Sequence, residues 1–116
     1  MPEIEKLNAE DHAPGPKGEA LAIGGDDMAL RVWNEGPVEK KELHASDHET
    51  LGFVIGGEAV LHGEDKSLHL MPGDSWRVPK GVMHGYEIPQ NFRAVEVTSP
   101  PARDVPRASR PTMGLP

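Results

Sequence analysis

Apolar residues along this chain fall in short runs separated by Gly, Pro and Asp, and no segment carries the 3.6-residue period of an amphipathic helix. Alternation and turn spacing instead predict strands at Met28 to Trp33, Glu39 to His44, Thr50 to Ile55, Glu58 to His62, Ser67 to Leu70, Ser75 to Val78, His84 to Ile88 and Phe92 to Thr98. The domain is therefore read as all-β, and many short strands with frequent turns suit a sandwich or jelly roll. Gly63-Glu64-Asp65-Lys66 is a hairpin turn flanked by His62 and His69, which are placed on the outer faces of that hairpin.

Both ends break the pattern. Pro14-Gly15-Pro16-Lys17-Gly18 near the start, and Pro100, Pro101, Pro106, Pro111 and Pro116 near the finish, forbid a regular ladder. Residues 1–20 are expected as an irregular arm containing His12, 21–98 as the barrel domain and 99–116 as a Pro-rich tail.

A chain of 116 residues allows one core. Only 36% of residues are hydrophobic and 4% aromatic, so a partner subunit is expected to add burial, and a homodimer that covers a sheet edge is the simplest form of it. Net charge is −7 with Lys and Arg scattered, which argues against nucleic acid as a partner. Glu39-Lys40-Lys41-Glu42 is mixed in sign and reads as a solvated strand. With no cysteine, thiol chemistry and disulfides are excluded. Met1-Pro2-Glu3-Ile4-Glu5-Lys6 lacks the apolar run of a signal peptide, and no apolar run is long enough to span a bilayer, so a cytoplasmic protein without a membrane partner is expected.

The densest chemical signal is Gly73-Asp74-Ser75-Trp76-Arg77-Val78-Pro79-Lys80-Gly81-Val82-Met83-His84. Pro72-Gly73-Asp74 is a turn, Trp76 and Val78 alternate as a strand, and Pro79-Lys80-Gly81 turns the chain again just before His84. A tight corner fixes the following side chain, as a metal ligand or catalytic base requires. Upstream, His44, Ser46, His48 and Thr50 would share one face of an extended chain.

The spacing Gly73-x5-Pro79-x-Gly81-x2-His84 resembles the second motif of the cupin superfamily, with Ile88 where the motif's closing asparagine stands. The segment Gly36 to Gly57 resembles the first cupin motif in two registers. In register one, Gly36, His44, Glu49 and Gly56 fall on the motif and Glu42 replaces its first histidine. In register two, Phe53-Val54-Ile55-Gly56-Gly57-Glu58 forms the Gly-Glu ending, His44 comes first, Ser46 second, and Thr50 takes the acidic position. Register two ends the strand cleanly, whereas a bulge would restore register one.

The resemblance implies a cupin jelly-roll β-barrel, or double-stranded β-helix, over roughly residues 28–98, with irregular N- and C-terminal arms. It implies a divalent transition metal (Zn, Fe, Mn, Ni or Cu) held by His44 and His84, with His48 added in register two or Glu49 in register one. Ser46, Thr50, Gly52 and Trp76 are expected to line the pocket, Gly52 leaving room for a ligand, although a strand aromatic such as Trp76 or Tyr86 also serves as packing. Glu87, of opposite parity to His84, is expected outside. The function implied is a metal-dependent oxygenase, isomerase or lyase acting on a small polar or aromatic metabolite. The alternative is a non-catalytic small-molecule-binding or sensor barrel that has lost metal ligands, as Ser46 and Thr50 suggest. A third, purely structural subunit would have its pocket filled by side chains.

Overall fold

Strand β8 (Phe92–Ser99) shows the two-residue period at its fullest. Phe92, Ala94, Glu96 and Thr98 are buried while the residues between them face outward. The computed structural model describes residues 3–8 and 19–102. The remaining strands are β1 (Glu19–Gly24), β2 (Ala29–Glu35), β3 (Glu49–Gly57), β4 (Ala59–Gly63), β5 (Ser67–Leu70), β6 (Ser75–Val78) and β7 (His84–Glu87). A five-stranded sheet runs β1-β2-β8-β3-β6 and a three-stranded sheet runs β5-β4-β7, with every pairing antiparallel. The two sheets form the expected jelly-roll barrel. Among the described residues no helix is long and apolar enough to cross a membrane. His12 and most of both predicted arms lie outside the described residues.

Two elements differ from the sequence pattern. β1 was not expected, and it pairs with β2 from Glu19↔Trp33 to Gly24↔Ala29. The predicted strand from Glu39 to His44 is not a strand. That segment runs beside β7 but is bridged to that stretch only at Val38↔Ile88 and His44↔His84. Residues 39–43 outnumber the facing residues 85–87, so the longer side bows out between the two bridges, with Leu43 over Gly85. The irregularity places His44 at the end of a short span tied at both ends.

Cross-strand register stacks the interior of the larger sheet in layers. Ala29, Thr98, Thr50 and Val78 make the first, Arg31, Glu96, Gly52 and Trp76 the second, and Trp33, Ala94 and Val54 the third. Trp33, Trp76, Phe92 and Tyr86 pack edge-on and tilted at centroid separations of 5.6–6.4 Å, closing the barrel below the second layer. Burying side chains such as Phe92, Ile88 and Val54 contributes about 1.5–3 kcal/mol each. The barrel is thus plugged by aromatics at one end and lined by small residues at the other.

Candidate functional site

Gly57 decides how the first motif is threaded. Its φ of +71° and the backbone of Asn91 against it leave no space for a side chain, so the glycine corner falls here, where Glu58 N–H donates to the Asn91 carbonyl at 3.0 Å. A bulge does occur in β3, between Val54 and Gly56, but it lies beyond the ligand positions. Upstream of it, Thr50 pairs with Val78 and Thr98 and is buried, whereas Glu49 faces outward and accepts from Arg77 Nε at 2.6 Å. At this point of β3, Thr50 and not Glu49 therefore faces the interior. Glu49→Gln is expected to change stability by no more than about 1 kcal/mol in urea denaturation and to leave metal content unaltered, because the pair is a half-exposed surface one.

At the open end, His44 and His84 exchange both backbone hydrogen bonds, His44 N–H to His84 O at 2.9 Å and His84 N–H to His44 O at 2.8 Å. Their rings lie alongside each other with centroids 4.7 Å apart. His84 is buried and shares the inward parity of Tyr86 and Ile88, while His44 is exposed. The Pro79–Val82 turn before His84 is held by Val82 N–H to Pro79 O at 3.2 Å. Gly81 N–H donates to the Ser46 carbonyl at 3.0 Å, so the loops of the two motifs are tied together. His84 Nδ1–H donates to the Val82 carbonyl at 2.8 Å, which fixes the tautomer and leaves the Nε2 lone pair available.

His48 is half-buried in the same electrostatic neighbourhood. Burial, then the Arg31 guanidinium, hold its imidazole below the ordinary value, with His84 and His44 adding to the effect and Asp47 opposing it. Its neutral form is therefore favoured.

Beneath the histidines lies a polar layer that the sequence reading missed. Arg31 Nε donates to Glu96 Oε2 at 2.7 Å, with Nη2 on the same oxygen, and both residues are buried. Tyr86 accepts from Trp76 Nε1–H at 3.1 Å. Burial and then the Glu96 carboxylate push the Tyr86 phenol well above its ordinary range, against the Trp76 hydrogen bond and Arg31, so it stays protonated. The signal was present. Arg31 lies between inward Ala29 and Trp33, and Glu96 between inward Ala94 and Thr98, so alternation turns both charges inward, and the β2–β8 register sets them opposite each other.

Gly52 also differs from expectation. It faces inward, but a Cβ there would stand within the benzo ring of Trp76, so the missing side chain accommodates the indole instead of opening a ligand space. Trp76 is packing. Ser46 is half-buried and contributes its carbonyl to the Gly81 tie. Glu87 lies outside as expected, bonded to His62 Nε2 at 2.8 Å, while His62 Nδ1 meets Ser67 Oγ at 2.7 Å. His69 is exposed and bonded to Glu58.

A cavity of about 290 Å³ opens between the β4–β5 tip and the loop after β6. Leu61, Leu68, Val78 and Met83 supply apolar walls, and His62, Lys66, Arg77 and His84 are the polar and charged side chains of the lining. For a metal, the two adjacent imidazoles and the His84 tautomer suit nitrogen ligation. Among the described residues, however, no group of three or more His, Cys, Asp or Glu side chains comes together to hold an ion. The donor set does not fit a complete protein cage.

The family model described as "Cupin domain" matches residues 31–99. None of the curated proteins compared matches the sequence. Among solved structures, an RmlC-like cupin from Shewanella frigidimarina superposes with a TM-score of 0.72 at 21% identity, covering 88% of this chain and 95% of that one. KdgF from Halomonas sp. gives 0.70 at 20% identity, covering 86% and 97%. The polyketide cyclase RemF from Streptomyces resistomycificus gives 0.68 at 23% identity, covering 89% and 86%. At these identities the likeness establishes the fold.

Proposed function

The chain belongs to the cupin family, and on that premise we propose that its barrel binds a small organic molecule beside His84 without keeping the family's complete metal-ligand set. The observation that carries this reading is the parity of β3, which turns Thr50 inward and Glu49 out to Arg77. The ligand has an apolar body matched to Leu61, Leu68, Val78 and Met83, and a polar group within reach of His84 and Lys66. His84 Nε2 accepts a hydrogen bond or a proton from it, since Nδ1 is already committed to the Val82 carbonyl.

A second reading, the metal-dependent oxygenase, isomerase or lyase, is favoured by that same tautomer and by the ring of His44 alongside. His44 and His84, with His48, are the residues that would hold the ion. When bound, a divalent metal supplies Lewis-acid polarisation of a substrate oxygen.

Two measurements separate these readings. Metal content by plasma mass spectrometry, after loading with Zn, Fe, Mn, Ni or Cu, is expected to stay well below one ion per chain in the parent. Near one ion per chain, lost in His44→Ala and His84→Ala, would establish the second reading. Saturation-transfer and methyl NMR against a library of small aromatic and polar acids is expected to perturb Leu61, Leu68 and the His84 ring. A silent cavity across the library would sink the binding reading.

A further inference from the structure

The cavity beside His84 has a charge opposite to that of the chain. The sequence carries 19 acidic residues against 12 basic ones, yet among the described residues no carboxylate lines the cavity. Its titratable side chains are His62, Lys66, Arg77 and His84. Three of these are already engaged. Arg77 gives its Nε–H to Glu49 at 2.6 Å. His62 is held between Ser67 Oγ at 2.7 Å and Glu87 Oε1 at 2.8 Å, and His84 Nδ1–H is committed to the Val82 carbonyl. Lys66 is exposed and forms no ion pair among the described residues. Glu64 and Asp65, which precede it in the turn, are exposed and stand outside the lining.

Lys66 and His84 meet at Gly63. The N–H of Gly63 donates to the Lys66 carbonyl at 2.8 Å, which closes the hairpin turn, and Gly63 pairs with His84 across β4 and β7. A Cβ on Gly63 would stand 3.4 Å from the Lys66 carbonyl and 3.9 Å from that of Met83, so the turn and the start of β7 converge on this residue.

We infer, on the binding reading above, that the ligand is a hydroxylated monocarboxylate with an apolar body, its charge met by Lys66 and its hydroxyl donated to His84. The balance of charges sets the single negative charge. Arg77 is offset by Glu49, so Lys66 is the uncompensated cation of the lining, and the net charge of −7 opposes a second negative charge on the ligand. Arg77 still has Nη1–H and Nη2–H groups to donate to a carboxylate oxygen. The hydroxyl follows from the His84 tautomer, because a lone pair at Nε2 needs a donor and a carboxylate has no proton to give. Leu61, Leu68, Val78 and Met83 receive the apolar part. A volume of about 290 Å³ is at the small end of ligand pockets and suits one ring or a short branched chain.

The test is calorimetric titration of the full chain with hydroxyphenyl and hydroxyalkyl monocarboxylates, each matched to its carboxamide, its phosphonate and its deoxy acid. The hydroxy acids are expected to bind about tenfold more tightly than their carboxamides, and more tightly than the phosphonates and deoxy acids. Lys66→Gln should remove the preference for acid over amide and leave amide binding unchanged, whereas Lys66→Arg should keep the preference. Lys80→Gln, an exposed lysine outside the lining, should leave it intact. In Glu49→Gln the Arg77 charge is no longer offset, and affinity for the phosphonates should rise. Carboxamides as tight as the acids, or a preference that survives in Lys66→Gln, would overturn the inference while the binding reading stood. Phosphonates tighter than carboxylates in the parent would overturn the single charge, and deoxy acids as tight as hydroxy acids would overturn the hydroxyl. Binding of none of these compounds would remove the binding reading and the inference with it.

Discussion

Gly52→Ala is expected to destabilise the barrel by about 3 kcal/mol and to lower its melting temperature on the order of 10–15 °C. The added methyl would fall on Cη2, Cζ2 and Cζ3 of Trp76, the outer atoms of the indole, in a layer closed on its other sides by Arg31 and Glu96. The indole has no free direction to retreat. It packs on Phe92 and Tyr86, and its N–H is donated to the Tyr86 hydroxyl, so moving it also breaks that bond. Tryptophan fluorescence should report the displacement along with the loss of stability. Because the clash involves only the six-membered ring, Trp76→Leu in the Gly52→Ala background should cost at least about 1 kcal/mol less than the two single losses added together. Strict additivity in a urea-denaturation cycle would show that the methyl is accommodated elsewhere and that the two residues do not share this space.

Gly52 also shows what a two-residue period can and cannot tell. Parity placed Gly52, Thr50 and Trp76 correctly on the interior, but it says nothing of how far a side chain reaches across a pair. The neighbour that fills the glycine's space is Trp76, cross-strand on β6, and only the register between β3 and β6 reveals it. The second motif was legible for the opposite reason. Pro79, Gly81 and His84 are close in sequence, and local turn chemistry fixes their geometry without help from the rest of the chain.

The first motif depends on longer-range facts. Two adjacent glycines allowed two threadings, and Asn91, whose backbone meets Gly57, lies in a separate part of the chain. Likewise the span from Glu39 to His44 was read as a solvated strand although four of its six residues are Glu or Lys, types depleted in strands, and the facing stretch sets three residues against its five. β1 was obscured by its own weak alternation and by the Pro-Gly lead-in, and it is defined by its ladder to β2.

The buried pair beneath the histidines carries the other large effect. Glu96→Leu alone leaves the Arg31 guanidinium in the interior without its carboxylate, and Arg31→Met leaves the carboxylate without its cation. Each is expected to cost about 3–5 kcal/mol in urea denaturation. Arg31→Met/Glu96→Leu removes both charges and should recover most of that loss, since two buried ions give back much of their attraction as desolvation. A double variant no more stable than the weaker single would contradict this account of the pair as mutually dependent. The pair also acts on the site above it. Arg31 is the largest charge effect holding His48 below its ordinary value of 6.5, so in the double variant the His48 titration followed by NMR should move upward. A histidine with a depressed folded pKa contributes stability that is complete above 6.5 and lost as pH falls through the folded value. The double variant should therefore lose less stability than the parent between neutral pH and pH 5. A His48 titration that does not move would show that burial alone sets it, and that the polar floor does not reach the histidine end of the barrel.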